Sequence, residues 1–329
     1  KEVLDFFAIE TDFDLQAFNH SLSGLSQLTS FLIIKFSTLF EKLRPNWVLV
    51  HGDTNTTLAA SMAAFYSQIK IAHVEAGLRT GNIHNPFPEE YNRKAVALIA
   101  SLHFAPTELA KSNLLNDGVS DEKIYITGNS GIDALLWGVE KLKHDQVKIP
   151  QNFPDDLIRY GKKVVITAHR RENFGKGIDN VVASVNELAK TYPEYIFIYI
   201  THPNPSAFAP AEKNLRRQKN IFLLPPLQYG QMLLMLQNTR ILMTDSGGLQ
   251  EEAPSLGIFT IVLRDFTERQ ESTGLGLSRL VGTNRTAIVK VFKDVVHDQE
   301  FLDRIQQINN PYGHGMASKV IIKSLLEHL

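Results

Sequence analysis

Residues 241–254 read Ile241-Leu242-Met243-Thr244-Asp245-Ser246-Gly247-Gly248-Leu249-Gln250-Glu251-Glu252-Ala253-Pro254. An apolar strand ends at Asp245, Ser246 stands where a side chain can cap a helix, and the helix begins at two glycines. Those glycines let backbone N–H groups approach an anion at the positive end of the helix dipole. Glu251 and Glu252 fall about one turn further on, where a carboxylate can accept hydrogen bonds from a ribose diol. An ordinary capped helix after a strand is the plain alternative, and the motif alone does not separate the two.

The alternation of short apolar runs with amphipathic stretches extends in both directions, the pattern of a parallel sheet with crossover helices. Around the opening motif it predicts strands at 163–167, 195–201, 221–224, 240–244 and 259–263, with helices near 179–192, 210–218, 229–237 and 249–255. An earlier series predicts strands at 47–51, 70–75, 102–105 and 123–127, with helices near 56–66, 89–101, 108–116 and 131–142. A polar, proline-containing segment at 144–156 reads as the linker. The expected fold is α/β, with two Rossmann-like domains and a ligand cleft between them. The N-terminal domain covers 1–155 and is completed by an amphipathic C-terminal helix within 314–329; the second covers 156–313. In such folds ligands bind beyond the C-terminal ends of the strands.

A chain of 329 residues is about twice a typical domain, which agrees with that division. Hydrophobic residues at 43% and charged residues at 21% are ordinary for a globular protein. A net charge of -1 argues against nucleic acid as the main partner. The basic cluster His169-Arg170-Arg171 is too small to track a nucleic-acid backbone and suits one diphosphate. The absence of cysteine excludes disulfides, a thiolate nucleophile and cysteine-ligated zinc. No run approaches a membrane span and no signal-peptide pattern opens the chain, so the expectation is a cytoplasmic protein with no membrane partner.

Four polar clusters follow predicted strands or open a helix. They are Gly52-Asp53-Thr54-Asn55-Thr56-Thr57, then His73 to Thr80, then Asn85 to Arg93, and His169-Arg170-Arg171-Glu172-Asn173. Asp53 either reaches the cleft or caps the helix after it. Glu75, at the end of an apolar strand, is placed for general acid or base duty or else pairs with Arg79. Glu89 and Glu90 are either functional or favourable first-turn acids, and the second account suits Glu90 better. Three carboxylates at strand ends point to proton chemistry on a neutral substrate, and His169 with its arginines points to an anion anchor. His169 is otherwise a strand-end histidine, and His202 in Thr201-His202-Pro203-Asn204-Pro205 either lines the cleft or stiffens its loop. No HExxH spacing or trusted ligand pattern indicates a metal, and no Walker loop is present.

Read in order, HGDTNTT at 51–57, HVEAGLRT at 73–80, NPFPEEYNR at 85–93, ITGNSGIDALL at 126–136, HRREN at 169–173 and DSGGLQEEAPSLG at 245–257 span nearly the whole chain. This set closely resembles the motifs of the non-hydrolysing UDP-N-acetylglucosamine 2-epimerases. The resemblance implies a glycosyltransferase-B-type fold and C2 epimerisation of UDP-N-acetylglucosamine to UDP-N-acetylmannosamine. It further implies anti elimination of UDP, a 2-acetamidoglucal intermediate and readdition to the other face. By motif, Asp53, Glu75 and Glu89 match the active-site carboxylates and His169 the histidine near the diphosphate. Arg93, Ser246, Gly247, Gly248, Glu252 and Arg269 are the implied substrate or UDP contacts. Glu89, Arg170 and His202 match contacts to a second UDP-N-acetylglucosamine acting as allosteric activator. A homodimer, a role in cell-surface polysaccharide or teichoic acid linkage synthesis, and a reaction without metal or nicotinamide cofactor are implied in the same way.

Two departures accompany the resemblance. The family's N-terminal strand with its Gly-Thr-Arg-Pro-Glu turn has no match in residues 1–40, where 1–15 looks like the helix and strand that follow it. A domain deprived of that strand would lose a central sheet element, so the chain as given is expected to be inactive or unstable. Gln270 stands where the family has proline, which predicts a more mobile loop with the same reaction. The competing functions are a hydrolysing epimerase, a glycosyltransferase of the same fold and a non-catalytic UDP-sugar-binding protein.

Overall fold

Four short apolar runs, β1 (Trp47–His51), β2 (Lys70–Val74), β3 (Leu102–Ala105) and β4 (Ile124–Ile126), pair in parallel in the order β1-β2-β3-β4. Successive side chains leave opposite faces of a strand, so a parallel sheet with helical crossovers needs cover on both. One face packs Val48, Val50 and Ile71 against Phe40, Leu58, Ala63 and Val96 from helices Gly24–Leu43, Asn55–Tyr66 and Glu89–Ile99. The other packs Ala72, Val74, Leu102 and Phe104 against Ile321 of the helix Ala317–Leu326. The Asp133 carboxylate caps that helix, accepting from the N–H groups of Ala317 (3.1 Å) and Ser318 (2.9 Å).

This computed structural model describes residues 2–17, 22–144, 160–216 and 218–329. The chain divides into two compact units, Glu10–Asp133 with Pro311–Leu329, and Lys1–Ile9 with Ala134–Asn310. The expected linker beyond His144 and the expected boundary at 155/156 lie outside the described residues. Among those described, no helix is long and apolar enough to cross a membrane.

The second sheet comprises β5 (Lys163–Thr167), β6 (Ile196–Ile200), β7 (Ile221–Leu224), β8 (Ile241–Thr244), β9 (Phe259–Val262) and β10 (Ser278–Leu280), all parallel, in the order β10-β9-β8-β5-β6-β7. Val164, Ile166, Phe197, Tyr199, Ile241 and Met243 face helices Lys176–Thr191 and Arg285–Val296. Val165, Ile198, Ile200 and Leu242 face helices Tyr229–Leu236 and Gly247–Ser255. The chain runs outward from β5 through β6 and β7, then returns to β5's other side with β8. That reversal opens a crevice beyond the C-terminal ends of β5 and β8.

The expected two-sheet α/β class is found, with differences in detail. The helix Gly24–Leu43 was not anticipated; its buried residues are Leu32 and Phe40. After the helix Glu2–Phe7, the strand expected within 1–15 is absent. Instead the Asp14 carboxylate accepts from the Gln16 N–H at 2.8 Å and Gln16 takes φ 55°, a local turn that competes with strand pairing. The helix expected at 210–218 is Pro205–Leu215, because Asn204 caps it and Pro205 suits the first turn. The edge strand β10 and the helices Arg285–Val296 and Gln299–Ile305 complete the unit and were not read from the sequence.

Candidate active site

The carboxylate cluster lies beyond β1 and β2. Gly52, at φ 67°, turns the chain out of β1, and Thr54 caps the next helix by accepting from the Thr57 N–H at 3.2 Å. Capping therefore does not occupy Asp53. Its Oδ2 lies 2.5 Å from Nη2 of Arg93, while its backbone carbonyl accepts from Asn92 Nδ2 at 2.8 Å. Arg93 is buried and its Nη1 donates to Oε2 of Glu90 at 3.1 Å. Glu90, wholly buried, also accepts from the N–H groups of Thr80 and Gly81 at 3.2 Å, so it holds the 80–81 turn against the helix. Glu89, one residue earlier, is partly exposed and makes no hydrogen bond or ion pair among the described residues.

Glu75 follows β2 in the left-handed region, at φ 62°. Such a backbone costs a non-glycine residue on the order of 1–3 kcal/mol and collects at functional sites. The turn aims the carboxylate across the sheet edge: Oε1 accepts from Asn129 Nδ2 at 3.2 Å and Oε2 lies 3.8 Å from His51 Nδ1. A Cβ on Gly52 would stand 3.0 Å from Glu75 Oε2, so glycine there makes room for the acid. Arg79, offered by the sequence as a partner for Glu75, pairs with Asp117 at 2.8 Å. Beneath the cluster His73 is buried, its pKa pushed down to about 3 by desolvation, and its Nε2–H donates to the Gly52 carbonyl at 2.8 Å.

In the other unit, the loops after β5 and β8 meet at the crevice of their own sheet. Asp245 is fully buried there, and its Oδ2 accepts from the N–H groups of His169 and Arg170, both at 2.8 Å, and from Asn173 Nδ2 at 3.0 Å. The His169 ring stacks on that of His202, with centroids 5.2 Å apart and planes 8° from parallel. Burial pushes the His169 pKa below its ordinary value; the Asp245 charge acts against that shift, and His202 and Arg170 act with it. His202 Nδ1 accepts from the Asn204 N–H at 3.1 Å, so this histidine also shapes its own loop.

Ser246 occupies the cap position of the helix Gly247–Ser255, but its side chain makes no capping hydrogen bond, contrary to the expectation. The first N–H groups of that helix therefore lack the side-chain acceptor they ordinarily have. A Cβ on Gly247 would lie 3.0 Å from the Arg269 guanidinium, whereas one on Gly248 would meet nothing within 4 Å among the described residues. The two acids after the turn divide. Glu251 is buried and accepts from Arg269 Nε at 2.8 Å. Arg269 also pairs with Glu268, and Glu268 with Arg264 at 3.1 Å, which makes a buried charge chain under the turn. Glu252 has no hydrogen bond among the described residues, and burial raises its pKa to about 7. Tyr229 stands near enough for burial and the Glu252 charge to push its phenol up. Gln270, the departure noted in sequence, opens the short helix Gln270–Gly274.

Two half-sites thus stand beyond strand ends, one of carboxylates and one of cations with helix N–H groups. The profile of a family described as UDP-N-acetylglucosamine 2-epimerase matches residues 1–326. A UDP-N-acetylglucosamine 2-epimerase of Neisseria meningitidis is 43% identical, over 99% of this chain and 88% of its own. One from Escherichia coli is 39% identical, over 98% of this chain and 86% of its own. A crystal structure of the N. meningitidis enzyme bound to UDP-GlcNAc superposes with a TM-score of 0.93 at 42% identity, covering 99% of this chain and 88% of that one. The chain belongs to the UDP-N-acetylglucosamine 2-epimerase family.

Membership of that family bears out the resemblance carried by the ordered motifs. Several residues of the half-sites escaped the sequence reading. Asp245 was read only as a strand terminus, although an acid ending an apolar strand before a turn is the same signal that singled out Glu75. Asn129 and Asn173 fell inside quoted motifs without a role of their own, and Tyr229 gave no signal, because each acts through a partner distant in sequence.

Proposed function

We propose that this protein catalyses the reversible C2 epimerisation of UDP-N-acetylglucosamine to UDP-N-acetylmannosamine, by anti elimination of UDP and readdition through 2-acetamidoglucal. The observation that carries this reading is Glu75, a carboxylate held in a left-handed turn between Asn129 and His51, after the strand that neighbours the one preceding Asp53. The C2 proton is weakly acidic, so its removal must be coupled to departure of a stabilised leaving group. Asp53, Glu75 and Glu89 carry the proton transfers in the N-terminal Rossmann-like domain. Arg93 holds Asp53 in place. In the second domain His169, Ser246, Gly247 and Gly248 hold the diphosphate at the helix N-terminus, where developing negative charge is stabilised. Glu252 takes the ribose hydroxyls, and Arg269 backs the turn.

Glu89, Arg170 and His202 contact a second UDP-N-acetylglucosamine that activates the enzyme. The protein works as a homodimer in the cytoplasm, where nucleotide sugars are available, and needs no metal or other cofactor. Incubation with UDP-N-acetylglucosamine in deuterated water, followed by NMR, tests the reaction. Deuterium at C2 of both UDP-sugars is the expected result. UDP binding without exchange would leave a binding protein, and free N-acetylmannosamine with UDP would mark a hydrolysing enzyme.

A further inference from the structure

Asp245 is a buried carboxylate with one oxygen fully used and one unused. Oδ2 takes three donors from the His169–Asn173 loop, whereas Oδ1 has no hydrogen bond among the described residues and lies 3.5 Å from Nδ1 of His169. A neutral imidazole carries its proton on one nitrogen, and the other then presents a lone pair. A lone pair on Nδ1 would set electron density 3.5 Å from the carboxylate oxygen, whereas an Nδ1–H would set a partial positive charge there. Nε2 of His169 has no partner among the described residues, and the ring is partly exposed.

We propose that Asp245 is a positioning residue for His169: it keeps the imidazole proton on Nδ1 and so leaves Nε2 as the nitrogen that gains a second proton when a diphosphate arrives. The second half of this statement rests on the function proposed above; the first half does not. The charged and titratable groups facing His169 are Asp245, His202 and Arg170. Burial opposes protonation most, His202 and Arg170 act with it, and Asp245 alone favours the imidazolium, so the empty site favours the neutral ring. An incoming dianion adds to Asp245 and tips the balance, which couples proton uptake to ligand binding. The same carboxylate fixes the backbone on which the ring stands, because it accepts from the N–H groups of both His169 and Arg170.

Asp245→Asn separates these roles. Its amide oxygen can still accept from the loop N–H groups, but its NH₂ would be presented to Nδ1, forcing the proton to Nε2. The test is ¹⁵N and ¹³C NMR of the His169 ring in the ligand-free full chain, assigned with His169→Gln, together with UDP calorimetry in buffers of different ionisation enthalpy. The wild type is expected to show the Nδ1–H tautomer and to take up a proton on binding UDP. In Asp245→Asn the tautomer switches to Nε2–H, the His169 pKa falls and the proton uptake is lost. An Nε2–H tautomer in the wild type overturns the proposal, even should Asp245→Asn not fold. An unchanged tautomer and pKa in the folded variant overturn it as well. Failure of the epimerase reading would show instead as absent C2 exchange with the tautomer result intact.

Discussion

Asp53 meets Arg93 at 2.5 Å, and the same guanidinium reaches the wholly buried Glu90 at 3.1 Å, so one cation serves an accessible acid and a hidden one. Arg93→Ala would strand Glu90 with only the Thr80 and Gly81 N–H groups. Removing one partner of a buried pair costs about 3–5 kcal/mol, and urea unfolding should register a loss of that size. Arg93→Lys keeps the charge but not the fork that reaches both acids, and should fall between. Asp53→Asn, by contrast, should change stability little while abolishing C2 exchange. Equal losses of stability in Asp53→Asn and Arg93→Ala would contradict this division.

Glu252 titrates at an unusual place, and the sign of its effect follows from that. Burial raises its pKa from 4.5 to about 7. Below the lower value both folded and unfolded chains hold the proton. Between the two only the folded chain holds it, so stability falls as pH rises through this window and levels off above it. At 1.36 kcal/mol per unit the full penalty is at most about 3 kcal/mol, and partial solvent access reduces it. Glu252→Gln should therefore flatten the pH dependence of unfolding between pH 5 and 7, about the span of that shift, and be the more stable protein at pH 8. The same variant should bind UDP more weakly, since an amide is a poorer acceptor for a diol than a carboxylate.

The strand runs were legible because strands covered on both faces are short and apolar throughout, as Val164-Val165-Ile166 is. The half-sites were legible where a polar residue ends such a run, as Asp53, Glu75 and His169 do. What stayed hidden depends on long-range pairing. Glu90 was expected to be the structural acid of the adjacent pair with Glu89, but its partners Thr80, Gly81 and Arg93 were not legible, and among the described residues Glu89's side chain is left without one. Glu251 and Glu252 divide in the same way through Arg269. The left-handed backbone at Glu75 left no trace in sequence, since glycine is the residue that ordinarily announces it.

That backbone makes a further prediction. Glu75→Gly would release the strain of φ 62° but forfeit the hydrogen bond from Asn129. A left-handed residue costs about 1–2 kcal/mol relative to glycine, which the lost hydrogen bond and the extra unfolded-chain entropy of glycine roughly offset, so folding stability should change by less than about 1 kcal/mol. C2 exchange should vanish. Glu75→Gln, which retains the strain, should be no more stable than wild type. A Glu75→Gly variant much less stable than Glu75→Gln in urea would show that the turn is not strained.

The glycine pair at the start of the helix Gly247–Ser255 separates folding from binding. A methyl on Gly248 meets no atom within 4 Å among the described residues, and alanine suits a helix better than glycine. Gly248→Ala should therefore leave the free protein as stable or stabilise it by up to about 1 kcal/mol. A methyl on Gly247 would instead stand 3.0 Å from the Arg269 guanidinium and push it against Glu251 and Glu268, costing about 1–3 kcal/mol. If the helix N–H groups receive a diphosphate, the open space beside Gly248 is ligand space, and the added methyl fills it. UDP calorimetry should then show weaker binding in both variants, with a loss of stability in Gly247→Ala only. Wild-type UDP affinity in Gly248→Ala would place the diphosphate elsewhere.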